Sequence, residues 1–389
     1  MGHNWVAMHR TGSPGLAALG GLIALAAALG IGRFVYTPIL PAMIEGLGLG
    51  RSGAGLIASA NFLGYLAGAL LSARPKLAAD RRSWLLLALV VSAGTTAAMG
   101  LVASLPSFLL LRCIGGGASA FVLVFASAIV LERLPKCRPG LSALHFAGVG
   151  VGIAASAVLV AVLLLRGGGS WRSLWLGSGL LSLVGTGAVA VLIRTDAGLP
   201  GQVRPTFRQP TKPALRRLIA AYGLFGFGYV ITATFLVAMV RGLPSIRPLE
   251  PAIWVVFGLA AVPSVALWSW AAARLGEPAA FALACMVEAV GVLASVAWPT
   301  EAGVIVAATL VGGTFMGLTA RGLVWARALS PDDPRRVLAL MTSAFGLGQI
   351  LGPLFAGLVA ERLGSFAVPS AAAVVALLGA AGLVLKRDS

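Results

Sequence analysis

Arg33 stands near the middle of an apolar run that extends from Leu16 to Ile44, with no carboxylate inside the run to pair with it. A guanidinium held in hydrocarbon costs at least about 2.5 to 3.5 kcal/mol, so its presence needs a reason. Tyr36 and Thr37 follow three and four residues later, the spacing that puts side chains on one helical face. Two readings are open: a cationic binding site lined by a phenol and a hydroxyl, or an arginine buried against backbone carbonyls between helices. Arg112 lies about a turn and a half inside another apolar run and precedes Gly115, Gly116 and Gly117. Small residues admit a neighbouring helix closely. Arg112 is thus suited to bind an anion or to bias a proton-carrying group, the alternative being a side chain that snorkels to the headgroups.

Glu288 is the only carboxylate that falls in the middle of an apolar run. A proton carrier needs such a group, protonated while it faces lipid or a dry interface. A neutral carboxylic acid bonded to a neighbouring helix is the other reading. Asn61, Tyr65, Tyr229, Thr232 and Gln349 also lie within apolar runs, where each must hydrogen-bond to protein, water or ligand. They are candidates to line a site with Arg33, Tyr36, Thr37 and Arg112, or to join helices. Arg321, about two turns from the end of its run, suits snorkelling, and His145 suits a structural role.

Other chemistry is excluded by pattern. There is no phosphate-binding glycine loop, no zinc spacing and no nucleophile elbow, so neither an enzyme nor a metal or other cofactor is expected. Cys113, Cys137 and Cys285 are scattered, which argues against a disulfide framework. The net charge of +17 suggests nucleic acid only until its distribution is followed, because the positive residues cluster in short connections between apolar runs.

The elements that must hold these residues are helices in a bilayer. The chain is 59% hydrophobic and 11% charged over 389 residues, more apolar surface than one soluble core can absorb. A membrane crossing takes roughly 20 apolar residues. Apolar runs bounded by charge, glycine or proline predict twelve transmembrane helices at 16–44, 52–73, 83–103, 107–131, 139–165, 171–193, 218–240, 252–273, 279–298, 303–329, 337–360 and 366–385. The first is too long for a secretory signal. This is an all-α integral membrane protein, expected as an N-terminal six-helix bundle (1–193), a basic linker loop (194–217) and a C-terminal six-helix bundle (218–389).

Alternate connections carry the basic residues, among them Arg74, Arg81, Arg82, Arg133, Arg194, Arg216, Arg274 and Arg327. Positive residues mark the cytoplasmic side, so both termini are expected there. The two halves resemble each other at a displacement of about 196 residues, a sign of parallel repeats. Gly30 and Gly32 fall on Gly226 and Gly228, Arg33 on Tyr229, and Tyr36 on Thr232. Pro38 and Pro41 in the first run and Pro353 in the eleventh are expected to bend their helices.

Local motifs add a resemblance. Leu109 to Ala120, with Arg112 and its three glycines, looks like the fourth-helix motif of the major facilitator superfamily (MFS), in which the arginine is linked to proton coupling. The connection from Arg74 to Arg82 is similar to that superfamily's gate motif, with Asp80 and Arg81 as gate candidates, although the glycine ahead of the aspartate is missing. Gly148, Gly150 and Gly152 stand where its antiporters carry a glycine-proline motif, without the proline. The stretches from Gly30 to Pro38, Asn61 to Gly68 and Phe146 to Gly152 resemble the bacterial YbfB/YjiJ group. The resemblance covers essentially the whole chain. It implies two pseudo-symmetric six-helix bundles around a central cavity faced by Arg33, Arg112, Tyr229 and Thr309.

The expectation is a secondary transporter in a bacterial inner membrane, a monomer that moves a small, anionic organic solute by alternating access. Its partners are that solute, the bilayer and a coupling ion, with H+ the candidate and Arg112 and Glu288 the coupling residues; no nucleic acid is expected. An exporter of lipophilic or drug-like compounds is the alternative, and a non-transporting sensor or assembly factor is the alternative from another class.

Overall fold

The computed structural model describes residues 14–72, 74, 77, 80–134, 139–166, 169–193, 213–330 and 333–386, and among these it is helical without strands. The first predicted span is broken into α1 (Pro14–Leu25), a π-helical segment (Ala26–Ile31), a turn over 32–35 and α2 (Tyr36–Leu47). Next come α3 (Arg51–Ser72), α4 (Arg81–Ala98), α5 (Leu105–Arg133), α6 (Pro139–Leu165) and α7 (Trp171–Leu192). The second series comprises α8 (Pro213–Arg241), α9 (Glu250–Ala261) with α10 (Ser264–Leu275), α11 (Glu277–Ala297), α12 (Glu301–Leu329), α13 (Pro334–Leu363) and α14 (Ala367–Leu385). Ten spans are long and apolar enough to cross a membrane, or eleven when α9 and α10, bent by 43°, count as one. The third predicted span, α4, is outside that set; Arg81 and Arg82 occupy its first turn and shorten its apolar length.

Sequence-predicted edges shift where packing extends a helix. The seventh span begins at Pro213, inside the stretch expected as linker, because Leu215 and Leu218 are buried one turn apart. The rest of that linker, 194–212, lies outside the described residues, as does Cys137; Cys113 and Cys285 are free. Helix starts are set by capping: Ser104, Ser170, Thr300 and Asp333 each accept a hydrogen bond from the backbone N–H three residues on. Gly48 and Gly364, at φ of 63° and 70°, end α2 and α13 in the left-handed region that side chains resist.

The bends do not fall at all the prolines expected to cause them. Pro38 sits in the first turn of α2, where its missing N–H breaks no bond, while Pro41 and Pro353 lie inside helices that continue past them. The break in the first span comes earlier, at the π-helical segment, and that in the eighth comes at Val262 and Pro263.

Helices pair in the same pattern in both series. α1 packs on α6 as α8 packs on α13, α4 on α7 as α11 on α14, and α4 on α5 as α11 on α12. Leucines and valines such as Leu63, Leu87, Leu110, Leu180 and Val375 are exposed around the outside. In a bilayer this outer face meets lipid tails, and association must come from close packing and hydrogen bonds. The motif stretches supply that closeness by meeting one another: a Cβ on Gly30 would lie 2.5 Å from Gly152 Cα, and one on Gly116 would lie 1.9 Å from the Asn61 carbonyl oxygen.

The two series join along α3 with α13 and α6 with α9. Their polar contacts cluster toward one end of the bundle. Thr37 Oγ1 donates to the Ala233 carbonyl at 2.8 Å, a partner 196 residues away. That is the repeat displacement, so a residue touches its own counterpart, as happens only near the axis relating the repeats. Ser59 donates to the Ile350 carbonyl (2.7 Å), Arg51 to the Ala360 carbonyl (2.8 Å), and the Ser52 N–H to Glu361 (2.6 Å).

Candidate functional site

The π-helical segment and the turn after it disturb the backbone hydrogen-bond ladder in mid-span, which a membrane protein must repair internally. Arg112 does so from α5. Its Nη1 donates to the Gly32 carbonyl at 3.0 Å and its Nη2 to the Arg33 carbonyl at 2.9 Å, while the guanidinium lies 5.2 Å from the Tyr36 ring centroid and 5.9 Å from that of Trp175. Asn61 Nδ2 in turn donates to the Arg112 carbonyl at 3.0 Å. Arg112 is therefore neither a snorkelling side chain nor an open anion receptor. It holds the turn that carries Arg33.

Arg33 takes the opposite role. It is 5% exposed, and its guanidinium lies 4.2 Å from the Tyr65 ring centroid, 4.6 Å from Phe62 and 5.4 Å from Phe34. Aromatic faces attract a cation, and three of them surround this one. Its Nε and Nη2 nevertheless have no hydrogen-bond partner among the described residues. A desolvated guanidinium with two donors unused is poorly satisfied by protein alone, and a carboxylate or similar anion would match both in a forked pair.

Across the axis stands Tyr229, the counterpart of Arg33 at the repeat displacement. Gln349 Nε2 donates to the Tyr229 hydroxyl, leaving Gln349 Oε1 without a donor. The Tyr229 ring lies almost parallel to Phe345 (5°, 5.8 Å) and to Phe315 (11°, 5.7 Å). Phe315 meets Phe34 edge to face at 5.8 Å, so the two halves touch through this pair. Thr232, one turn beyond Tyr229, is buried with its hydroxyl unpartnered among the described residues.

The sequence grouped Tyr36 and Thr37 with Arg33, and the structure gives each of their hydroxyls a backbone partner. The Tyr36 hydroxyl donates to the Ala54 carbonyl at 2.8 Å, and Thr37 bonds Ala233 between the halves. Thr309 is exposed, whereas Phe315 on the same helix faces the interface. Asp80 caps α4 through the Ser83 N–H (3.2 Å), and Arg81 pairs with Glu132 at 2.7 Å, both within the first half. Arg321 pairs with Glu277, the first residue of α11. His145 Nε2 shares a hydrogen bond with Ser127 at 3.0 Å. Glu288 is fully buried on α11, and neither carboxyl oxygen has a hydrogen-bond partner among the described residues.

Sequence reasoning missed the rings and an ion cluster. Phe62 was findable, standing three residues ahead of the candidate Tyr65 on α3, but Phe315 and Phe345 resemble any other apolar residue of a membrane helix. Arg241 bonds Glu250 at 2.6 Å and Glu45 at 3.0 Å, and Arg247 reaches Glu45 at 3.5 Å. These residues stand at span ends, where single charges attract no notice.

Against known proteins, residues 25–385 match the family described as "Uncharacterised MFS-type transporter YbfB". No curated protein matches the chain. Among solved structures, that of the nucleoside transporter NupG is similar with a TM-score of 0.70 at 14% identity, covering 96% of this chain and 99% of that one. A NupG mutant gives 0.72 at 15%, covering 95% and 100%. A bacterial homolog of the human lysosomal transporter Spinster, inward-facing and unoccupied, gives 0.61 at 17%, covering 95% and 93%. At such identities the likeness is one of fold.

Proposed function

The chain belongs to the MFS-type transporter family exemplified by YbfB, and we propose that it moves a small organic anion by alternating access, with Arg33 holding the anionic group. The observation that carries this reading is the buried guanidinium of Arg33, ringed by aromatic faces, with Nε and Nη2 unpartnered. A charge so placed is rarely tolerated without function. Tyr65 on one half and Tyr229 with Gln349 and Thr232 on the other complete the site, while Arg112, Tyr36, Thr37 and Asn61 hold its helices.

The basic connections support a reading with both termini in the cytoplasm and the protein in a bacterial inner membrane. The inter-half bonds of Thr37, Glu45, Arg51 and Ser52 then close the outer end, as in a carrier open to the cytoplasm. With no nucleotide-binding loop in the sequence, an ion gradient drives the cycle. Protons are the candidate, and Glu288 is the carboxylate to carry them. The aromatic walls favour a second reading, export of lipophilic compounds, in which Arg33 serves the proton cycle instead of the solute.

The test begins with thermal shift of purified protein against organic acids, amino acids, sugars and drugs, since a ligand that binds only the folded state raises its stability. An organic anion is expected to stabilise the wild type and not Arg33→Ala. Equal stabilisation of both proteins removes Arg33 from recognition, and stabilisation by neutral lipophiles alone favours the second reading.

A further inference from the structure

We infer that the solute held at Arg33 is a planar aromatic anion, an arene or heteroarene carboxylate, and not an aliphatic acid or a sugar acid. The inference rests on the anion site just proposed and adds what surrounds it. On the first half, the rings of Phe34, Phe62 and Tyr65 lie around the guanidinium, so the wall next to the charge is aromatic and offers no hydroxyl array of the kind a sugar acid would need. On the second half, Phe315, Tyr229 and Phe345 present rings within 11° of parallel to Tyr229. Parallel rings offer flat faces, and flat faces select flat ligands, because stacked and edge-on aromatic contacts add to the burial that any apolar body provides.

The two walls meet where Phe34 and Phe315 pack edge to face. A ligand ring entering between the halves replaces one aromatic contact by two, with Phe34 on one side and Phe315 on the other, while its carboxylate takes the free Nε and Nη2 of Arg33. Such a ligand bridges the halves, as a solute recognised in alternating access must. The polar groups left over are few and buried: Gln349 Oε1 lacks a donor and the Thr232 hydroxyl lacks a partner. Each suits a single ring N–H or hydroxyl and is too sparse for a polyol.

Calorimetry on the purified full chain tests this with matched pairs: benzoate against cyclohexanecarboxylate, 1-naphthoate against its decahydro analogue, and each aromatic acid against its neutral amide. Within each pair the aromatic acid is expected to bind about tenfold tighter than the saturated acid, the scale of two added ring contacts. Phe315→Leu should bring that ratio down toward one without abolishing binding of the saturated acid, and the amides should bind at least about tenfold more weakly than the acids. Saturated and aromatic acids binding equally, both lost in Arg33→Ala, would overturn the aromatic assignment and leave the anion site standing. Amides binding as well as acids, or acids binding undiminished to Arg33→Ala, would overturn the anion site and this inference with it, as would a series in which no acid binds.

Discussion

Removing the Arg112 guanidinium should loosen the turn on which Arg33 stands. Two charge-assisted hydrogen bonds, to the carbonyls of Gly32 and Arg33, are lost in Arg112→Ala. Hydrogen bonds to charged groups contribute about 1.5 to 3 kcal/mol each, and carbonyls stranded in a dry interior add their own penalty. The turn should therefore open more easily by about 3 to 6 kcal/mol. Arg112→Lys should fall between, because an ammonium keeps the charge but not the fork that spans two carbonyls. Hydrogen–deuterium exchange of a peptide covering 26–35 reads the effect through the N–H groups of Arg33, Phe34 and Val35, which bond to Leu29 and Ile31. A loss of 3 kcal/mol corresponds to roughly a hundredfold faster local opening. Detergent-solubilised Arg112→Ala should show at least that acceleration with exchange in α14 little changed. Wild-type protection of 26–35 in this variant would refute the view that Arg112 secures the turn.

Three further outcomes follow from the packing and the charges. Gly116→Leu should prevent α5 from approaching α3, where even a Cβ would lie 1.9 Å from the Asn61 carbonyl, and should leave little monodisperse protein in size-exclusion chromatography; a wild-type yield would contradict the close approach. Glu45→Gln should weaken the closed outer end by less than about 1 kcal/mol, since Glu45 is half exposed, and the shift in labelling of a cysteine at the outer end should vanish in high salt; a large, salt-independent shift would contradict this. Glu288→Gln, nearly isosteric at a buried position without a cation to lose, should melt like the wild type and exchange solute across vesicles, yet fail to accumulate it on a proton gradient; undiminished accumulation would remove Glu288 from coupling.

Much of the fold was legible because the bilayer enforces one rule, that apolar runs become helices. The fifth predicted span coincides with α6, and the repeat displacement reappears in the Thr37 to Ala233 bond. What the sequence concealed is where the ladder breaks. Prolines are visible, but the break in the first span arises where Gly30 meets Gly152 and Arg112 accepts the burden of the turn, a tertiary event. Tyr36 and Thr37, which the spacing groups with Arg33, spend their hydroxyls on the carbonyls of Ala54 and Ala233, partners that only the tertiary structure reveals. Arg33 itself was conspicuous as a costly charge. Its aromatic surroundings were not, since Phe62, Phe315 and Phe345 gain meaning only when helices from both halves bring them together.

The proposed role of Arg33 is to hold the anionic group of the transported solute. Its most direct measurement is uptake into proteoliposomes of the organic anion that best stabilises the wild type, compared among wild type, Arg33→Lys and Arg33→Ala at equal reconstituted protein. Wild-type uptake, a reduced rate with raised KM in Arg33→Lys, and none above empty vesicles in Arg33→Ala are expected. Uptake by Arg33→Ala with an unchanged KM would contradict it.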